Sequence, residues 1–205
     1  MLCGSRDGHD IRIGGKMGRI FITSDLHFSH NKEFLYYPRG YSGVEEMMKD
    51  IVYEWLMMIK DDDDVYILGD LMLNDTQETF DTLKLLTGRL HIVLGNHDTE
   101  RRVEMYRQLP NVVEITYATP LKYNGYHFWL SHYPTIVSNY DADRPLKSRV
   151  IALCGHTHTS DPFHDWDKGL IYHCELDAHN NRPVLIDDII ENIKQKISIQ
   201  NLILF

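Results

Sequence analysis

The stretch Leu90-His91-Ile92-Val93-Leu94-Gly95-Asn96-His97-Asp98 sets the architecture of this chain. Its first half is apolar and β-branched, which predicts a buried strand, and Gly95 ends that strand directly before a polar triplet. In open α/β sheets, binding sites lie just beyond the carboxyl ends of strands. The triplet supplies an amide oxygen that can bind a cation and an imidazole that can move a proton. A simple turn with local Asn and Asp hydrogen bonds is the alternative for this stretch taken alone.

Polar residues leave four other predicted strands in the same way. They are Asp25 and His27 after residues 19–23, Asp70 after residues 65–68, His132 after residues 126–130, and His156 and His158 after residues 150–154. A lone histidine at a strand end is more often structural, but five coincidences indicate one shared site. Carboxylate, imidazole and amide ligands together suit zinc, iron, manganese or nickel ions. Two such ions would carry more positive charge than two aspartates neutralise, and would therefore attract a phosphate.

Composition bounds the class of protein. The 205 residues suffice for one domain with a sizeable core, predicted over residues 19–205 after an N-terminal extension of residues 1–18. The net charge of −9 argues against binding of long nucleic acids. The absence of a signal peptide and of a long apolar run argues against secretion and membrane insertion. Three cysteines without CxxC spacing favour a reduced, cytoplasmic chain, with Cys154 and Cys174 in the core.

Helical periods and turn signals fill the intervals between the strands. Ser42 and Glu45 form a predicted capping box, the acidic run 61–64 is predicted as a solvated turn, and Asn124-Gly125 between apolar runs predicts a hairpin. Helices are predicted over residues 42–60, 75–86, 99–109 and 187–196, followed by an apolar tail over residues 197–205 that either pairs as a strand or docks on the core.

Taken as a set, the motifs resemble those of the calcineurin-like metallophosphoesterases, and further resemble a small bacterial and phage branch of single-domain members. The matching motifs, in order and spacing, are Asp25-x-His27, Gly69-Asp70, Gly95-Asn96-His97-Asp98, His132 and Gly155-His156-x-His158. They span about residues 20–158, most of the chain. The resemblance implies an α/β (α+β) fold, a four-layer α-β-β-α sandwich of two mixed β-sheets flanked by helices.

The resemblance also implies a role for each motif residue. Two divalent or mixed-valence metal ions, drawn from Mn, Fe, Zn, Ni and Co, would be held by Asp25, His27 and His158 on one side and Asn96, His132 and His156 on the other, with Asp70 bridging them. A hydroxide between the metals would attack phosphorus. His97 would act as the general acid for the leaving group. Asp98 or Asp75 would orient His97, and the sequence does not choose between the two.

Candidate substrate contacts follow the first metal loop. His30, Asn31 and Arg39 are predicted to bind substrate, Arg39 through a bidentate phosphate contact, with an ordinary surface arginine as the alternative. Loop tyrosines either stack on a nucleotide base or are half-buried packing residues; these are Tyr36, Tyr37, Tyr133 and Tyr140. The expected partner is a small phosphorylated substrate, with nucleotides among the candidates, and the oligomeric state is left open.

Two alternatives bear on activity. Phosphoprotein phosphatases of the superfamily carry Asp-Arg where this chain has Leu73 and Asn74, which weakens a protein-phosphatase interpretation. A non-catalytic scaffold of the same fold that binds a protein partner is the competing hypothesis. The presence of His97 and of all seven expected ligands favours a hydrolase of phosphomonoesters or phosphodiesters.

Overall fold

A computed structural model describes residues 18–137 and 144–203, which form two mixed β-sheets flanked by helices. This α/β arrangement confirms the predicted fold class. The first sheet contains β1 (Ile20–Thr23), β2 (Asp64–Leu68), β3 (Arg89–Val93), β4 (Val112–Thr116) and β9 (Val184–Leu185). The second sheet contains β5 (Ala118–Tyr123), β6 (Tyr126–Ser131), β7 (Val150–Cys154) and β8 (Ile171–His173). Most of the predicted N-terminal extension, residues 1–17, lies outside the described residues, as does Tyr140.

Each sheet is parallel except for one edge strand. The first has the order β4-β3-β2-β1-β9, in which only β9 is antiparallel to its neighbour. The second has the order β5-β6-β7-β8, with β5 and β6 paired as the predicted hairpin. Asn124 and Gly125 both have positive φ, 47° and 80°, as a type I′ turn requires. Parallel pairing aligns the carboxyl ends of the central strands at a common edge.

The first sheet is buried on both faces, because successive residues of its central strands enter different cores. Phe21 packs in the same cluster as Trp55 of the flanking helices. Its neighbour Ile22 packs in a second cluster with Phe128 of the second sheet. A fully buried side chain of this size contributes about 1.5–3 kcal/mol relative to leaving it exposed. The near-continuous apolar runs of these strands therefore follow from their position between two apolar layers.

Five α-helices occupy the described ranges: α1 (Glu33–Tyr36), α2 (Val44–Met58), α3 (Gln77–Leu83), α4 (Glu100–Tyr106) and α5 (Ile186–Ile203). The predicted capping box at Ser42 is wrong by one position. Gly43 is the N-cap of α2, and the backbone N and hydroxyl of Ser42 donate to Glu46 instead of Glu45. Because α2 begins at Val44, Glu46 is the third helical residue, from which a side chain reaches back over the helix start.

Two further expectations need correction. Only half of the acidic run is a solvated turn, because Asp63 is 2% exposed and accepts hydrogen bonds from Arg19, while Asp64 begins β2 and pairs with Arg89. The last predicted helix does not end near residue 196, because α5 continues to Ile203; residues 197–203 do not pair as a strand, and Ile197 packs on the second core, in line with the docking alternative. Cys154 and Cys174 are fully buried, as predicted.

No helix within residues 18–137 and 144–203 combines the length and the apolar character needed to cross a bilayer.

Candidate metal centre

Loops that follow β1, β2, β3, β6 and β7 meet at one end of the two sheets. Within each sheet they are joined by backbone hydrogen bonds, from Asp25 N to Gly69 O at 3.1 Å and from Gly155 N to His132 O at 3.0 Å. Between the sheets, the carboxylate of Asp25 accepts a hydrogen bond from His156 N at 2.9 Å. The parallel strands thus deliver their polar termini to a single place.

Five of the residues in these loops have left-handed backbone conformations. Asp25, His27, Asp70, His156 and His158 have φ between 50° and 77°. Such conformations are uncommon for residues with a side chain and cost of order 1–3 kcal/mol each. The surrounding hydrogen bonds hold them in place, so the turns aim these side chains at the pocket instead of letting the chain run on as a strand.

Two glycines allow the loops to come this close. A Cβ atom built on Gly95 would lie 2.2 Å from Asp70 Oδ1, and one built on Gly155 would lie 2.3 Å from Asp25 Oδ2. Carbon and oxygen atoms do not approach to such distances without bonding, so any larger residue would displace a carboxylate. Both glycines therefore act by leaving room for the aspartates.

One cluster of donor atoms contains Asp25, His27 and His158. His27 Nε2 and His158 Nε2 are 3.1 Å apart, and they lie 3.5 Å and 3.6 Å from Asp25 Oδ1. Oδ1 is buried and has no hydrogen-bond partner among the described residues. A buried carboxylate oxygen without a partner is costly unless a cation satisfies it.

A second cluster contains Asn96, His132 and His156. His132 Nε2 lies 2.8 Å from Asn96 Oδ1 and 3.2 Å from His156 Nδ1. His132 Nδ1 is 2.8 Å from the carbonyl oxygen of Leu68, to which it donates its proton. This bond leaves the lone pair of Nε2 free and directed at the other two donors.

Asp70 lies between the two clusters. Its Oδ2 is 3.7 Å from His27 Nε2 and 3.5 Å from His132 Nε2, while its Oδ1 accepts a hydrogen bond from His97 N at 2.9 Å. Burial raises the pKa of Asp70 despite the nearby imidazoles. The same burial lowers the pKa values of His27 and His156, which keeps both rings in the neutral form that binds metals.

These donors fit a pair of metal ions. Atoms of Asp25, His27 and His158, and likewise of Asp25, Asp70 and His132, lie within 4.8 Å of one another. Mixed oxygen and nitrogen donors suit borderline divalent ions, and the partnerless Asp25 Oδ1 needs a positive charge. The structure therefore brings all seven residues predicted as ligands to one centre.

His97 lies beside this centre, but Asp98 does not orient it. The His97 ring is 5.4 Å from the His27 ring and 6.2 Å from the His30 ring, centroid to centroid. The Asp98 carboxylate instead accepts hydrogen bonds from Asp70 N, Gly95 N and the Tyr106 hydroxyl. The expectation that Asp98 acts on the His97 imidazole is corrected: its oxygens are committed to shaping the loops.

Asp75, the other residue predicted to orient His97, reaches it only through Arg102. It accepts a hydrogen bond from Arg102 Nε at 2.6 Å, and Arg102 donates in turn to the backbone carbonyl of His97. Within residues 18–137 and 144–203, no carboxylate is hydrogen-bonded to the His97 ring itself. Asp75 and Arg102 thus fix the backbone at His97 rather than its imidazole.

The three predicted substrate contacts have different environments. His30 is buried with its ring 5.2 Å from that of His27, and Asn31 is exposed next to it. Arg39 is only 7% exposed, and its guanidinium binds Asp177 through Nε and Nη2 at 3.0 and 2.6 Å. The predicted bidentate contact of Arg39 with a phosphate is corrected, because its fork is already filled by a carboxylate behind the pocket.

Asp177 is a residue whose role the sequence did not assign. Burial alone would raise its pKa, but hydrogen bonds from His158 and Arg39 bring that pKa down to about 2. The carboxylate is therefore ionised, and it lies 3.1 Å from His158 Nδ1. In the sequence, Asp177 stands out only because it follows a predicted strand. Its contact with Arg39 has no sequence signal, because the two residues are 138 positions apart.

Exposed aromatic rings stand on two sides of the pocket. Tyr133 is 51% exposed with its ring 4.7 Å from that of His156, and Tyr37 is also exposed, whereas Tyr36 is buried. Phe34, which the sequence reasoning missed, is 72% exposed with its ring perpendicular to His30 at 5.6 Å. Its place in the short helix α1 gave no signal that it would lie at the site.

Comparisons with known proteins found one matching family model and related sequences. A model of the calcineurin-like phosphoesterase superfamily domain matches residues 19–173. An uncharacterized protein of Methanocaldococcus jannaschii is 32% identical over 185 residues, covering 87% of this chain and 93% of that protein. The Gene 66 protein of Mycobacterium phage D29 is 29% identical over 164 residues, covering 70% and 80%.

A solved structure supports the fold alone. The protein of unknown function from Aquifex aeolicus superposes with a TM-score of 0.65 at 21% identity, covering 85% of this chain and 98% of that one.

Proposed function

The chain belongs to the calcineurin-like phosphoesterase superfamily, and we propose that it is a dinuclear metal-dependent hydrolase of phosphomonoesters or phosphodiesters. The position of Asp70 carries this proposal. Its Oδ2 lies 3.7 Å from a nitrogen of one cluster and 3.5 Å from a nitrogen of the other, so a single carboxylate can serve two ions. An aspartate with a purely structural role would not need to lie next to nitrogen donors of both clusters.

Each cluster has a defined task in this proposal. Asp25, His27 and His158 would hold one ion, Asn96, His132 and His156 would hold the other, and Asp70 lies where it could serve both. When bound, ions such as Mn, Fe, Zn, Ni or Co would acidify a nucleophilic water and neutralise charge on the phosphoryl oxygens. The buried setting of Asp25 and Asp70 strengthens their attraction for the ions, because little water screens it.

His97 is the proposed general acid. Its backbone is anchored on both sides of Cα, by the N–H bond to Asp70 and by Arg102 at its carbonyl, while its ring lies beside the first cluster. As imidazolium it would give a proton to the oxygen that departs from phosphorus. This assignment separates it from the seven ligands, which must remain deprotonated to bind metal.

The proposed substrate is a small phosphorylated molecule, with nucleotides included, acted on in the cytoplasm. The net charge of −9 disfavours a long polyanion, whereas a pair of cations in the pocket would attract a single phosphate group. Exposed Phe34 and Tyr133 beside the pocket favour a substrate with a planar group.

The test combines metal analysis with turnover. Metal-replete protein should hydrolyse p-nitrophenyl phosphate or its bis-ester, and elemental analysis should find two ions per chain. Asp70→Asn should lose turnover together with at least one ion, whereas Asp63→Asn, at a buried aspartate directly before β2, should retain both. Full metal occupancy in Asp70→Asn would refute the bridging role. A metal-loaded wild type inert toward both esters would favour the scaffold hypothesis.

A further inference from the structure

The imidazole of His158 lies between two carboxylates, one near each ring nitrogen. Its Nε2 lies 3.6 Å from Asp25 Oδ1, and its Nδ1 lies 3.1 Å from Asp177 Oδ2. An anionic acceptor at Nδ1 selects the tautomer that carries its proton there, which leaves the Nε2 lone pair directed at the first cluster. The same hydrogen bond makes Nε2 a stronger donor to a metal.

Arg39 fixes the carboxylate in that orientation. Its Nε and Nη2 donate to both oxygens of Asp177, and Nη2 also donates to the backbone carbonyl of Asp25 at 2.8 Å. The Arg39 side chain is 1% exposed and that of Asp177 is 10% exposed, so this fork-to-fork pair is shielded from water. One guanidinium thus links the backbone of Asp25 to the carboxylate that lies against His158 Nδ1.

The fold brings Asp177 to this place through a contact between distant segments. Asp177 lies in a short 3-10 turn that follows β8, and the backbone of Ser24 pairs with Glu175 directly before that turn. Leu176 N also donates to Ser24 O at 3.3 Å. The turn is therefore attached to the end of β1, one residue from Asp25.

Among residues 18–137 and 144–203, no equivalent ion pair stands behind His132 of the second cluster. The ring of His132 is oriented by the neutral carbonyl of Leu68, not by a charged carboxylate. We propose that Arg39 and Asp177 are positioning residues that set the affinity of the first metal site, formed by Asp25, His27 and His158, independently of the second. This inference rests on the proposed function, because it takes both clusters to be metal sites.

Metal titration separates the two sites. Metal-free protein is titrated with Mn²⁺ by equilibrium dialysis and elemental analysis, and the wild type should bind two ions per chain. Asp177→Asn should weaken one of the two dissociation constants by about 10–100-fold and leave the other unchanged. At two equivalents of Mn²⁺, electron paramagnetic resonance should show a spin-coupled pair in the wild type and isolated ions in the variant.

Two more variants test whether the pair acts as a unit. Arg39→Met should give the same selective loss, and the double variant should bind no more weakly than the worse single variant, because Arg39 acts through Asp177. Asp63→Asn is the matched control: this aspartate is also buried and held by an arginine, Arg19, but it directly precedes β2, at the end of that strand opposite the centre. Its two dissociation constants should equal those of the wild type.

The outcomes distinguish this inference from the proposed function. If Asp177→Asn and Arg39→Met fold normally and bind both ions with wild-type affinity, or lose both sites equally, the positioning role is refuted while the proposed function stands. Strictly additive losses in the double variant would refute the claim that Arg39 works through Asp177. A wild type that binds fewer than two ions would refute the proposed function, and this inference would fail with it.

Discussion

His97 shares the pocket with the seven presumed ligands but differs from them in how it is held. Its backbone N–H bonds to Asp70 and its carbonyl accepts from Arg102, while its ring lies 5.4 Å from that of His27 and, among the described residues, is hydrogen-bonded to no carboxylate. Because a proton donor must approach the leaving oxygen, a ring that is anchored only through its backbone suits that task better than one fixed by a carboxylate.

His97→Ala should therefore discriminate between leaving groups. Alkyl phosphate esters should be hydrolysed about 10²–10⁴-fold more slowly, since an alkoxide needs a proton to depart, while p-nitrophenyl esters should lose much less. Steady-state kcat on the two substrate types measures the difference, with exposed His127 on β6, as His127→Ala, for the control. Equal losses on both substrates would show that His97 is not the acid.

Some site residues could be predicted from the sequence, and others could not. All seven proposed ligands could be chosen from their place after strands, because strand ends converge in this class of sheet. Asp98 was misassigned because sequence proximity to His97 says nothing about which N–H groups its carboxylate accepts. The Arg39–Asp177 pair could not be foreseen, since only the folded chain joins positions 138 residues apart.

In the loop after β7, the backbone of Gly155 packs against side chains of the loop after β1. The Cα of Gly155 faces Ser24 and Asp25 so closely that an added Cβ would lie 2.0 Å from Ser24 Oγ. Neither neighbour can retreat freely, because Ser24 Oγ donates to Leu68 O at 2.7 Å and Asp25 belongs to the metal cluster. This contact joins the two sheets at the site.

Gly155→Ala should accordingly separate the loops and weaken metal binding. We expect a destabilisation of about 1–3 kcal/mol from overpacking, together with loss of bound Mn²⁺. Gly169→Ala is the matched control, since a Cβ there would meet only Ile171 Cγ1, at an ordinary van der Waals distance of 3.9 Å. Denaturant unfolding and metal analysis of both variants provide the measurement. Wild-type stability and metal content in Gly155→Ala would contradict the close packing described for these loops.

His91 of β3 joins three neighbouring strands of the first sheet. Its Nε2 lies 2.8 Å from Asp64 of β2 and its Nδ1 lies 2.9 Å from Glu114 of β4, with the ring stacked on Tyr66. Burial would lower the pKa of His91, but hydrogen bonds to Asp64 and Glu114 outweigh it and raise that pKa above 6.5. The imidazolium form, with a proton on each nitrogen, donates to both carboxylates.

The resulting dependence on pH has a definite sign. A histidine with a raised pKa in the folded state contributes stability that is complete below its unfolded pKa and is lost as pH rises through its folded pKa. The difference in free energy of unfolding between the wild type and His91→Gln should therefore be largest below about pH 6.5 and shrink as the pH rises above it. Denaturant unfolding at several pH values measures this, and a constant or growing difference would be inconsistent with the bridge.

Elements were predictable where local chemistry determines them. Asn124-Gly125 gave the hairpin, since both positions require positive φ. The end of α5 was missed because an isoleucine-rich segment such as residues 197–203 is compatible with either a strand or a helix, and packing decides between them. Ile197 continues the face of α5 that enters the second core, which favours the helix.

Both sheets contribute to the proposed centre. The loops of the first sheet supply Asp25, His27, Asp70 and Asn96, and the loops of the second supply His132, His156 and His158. Ions bound there would connect the two sheets at the end opposite the starts of their parallel strands. They would bind the folded chain and not the unfolded one, so they would stabilise the whole domain.

Removal of the metals should therefore lower the stability of the entire molecule. At a free metal concentration about 100 times the dissociation constant, the gain is about 2.7 kcal/mol for one site. Thermal unfolding of chelator-treated protein with and without added Mn²⁺ measures it, and Asp70→Asn should show a smaller response. Identical unfolding temperatures with and without metal would count against an ion-binding centre.

Backbone strain and metal binding have opposite effects on stability at Asp25, His27, Asp70, His156 and His158, which all have positive φ. Glycine at any of these positions would relieve the steric cost of the left-handed turn, because glycine adopts positive φ freely. It would also remove a proposed ligand, and with it the stabilisation that bound ions would give to the folded chain. A search for heat-resistant variants of this scaffold should therefore be run on metal-loaded protein and screened for activity at every round, since the same glycine substitution could look favourable in a metal-free assay and be inactive.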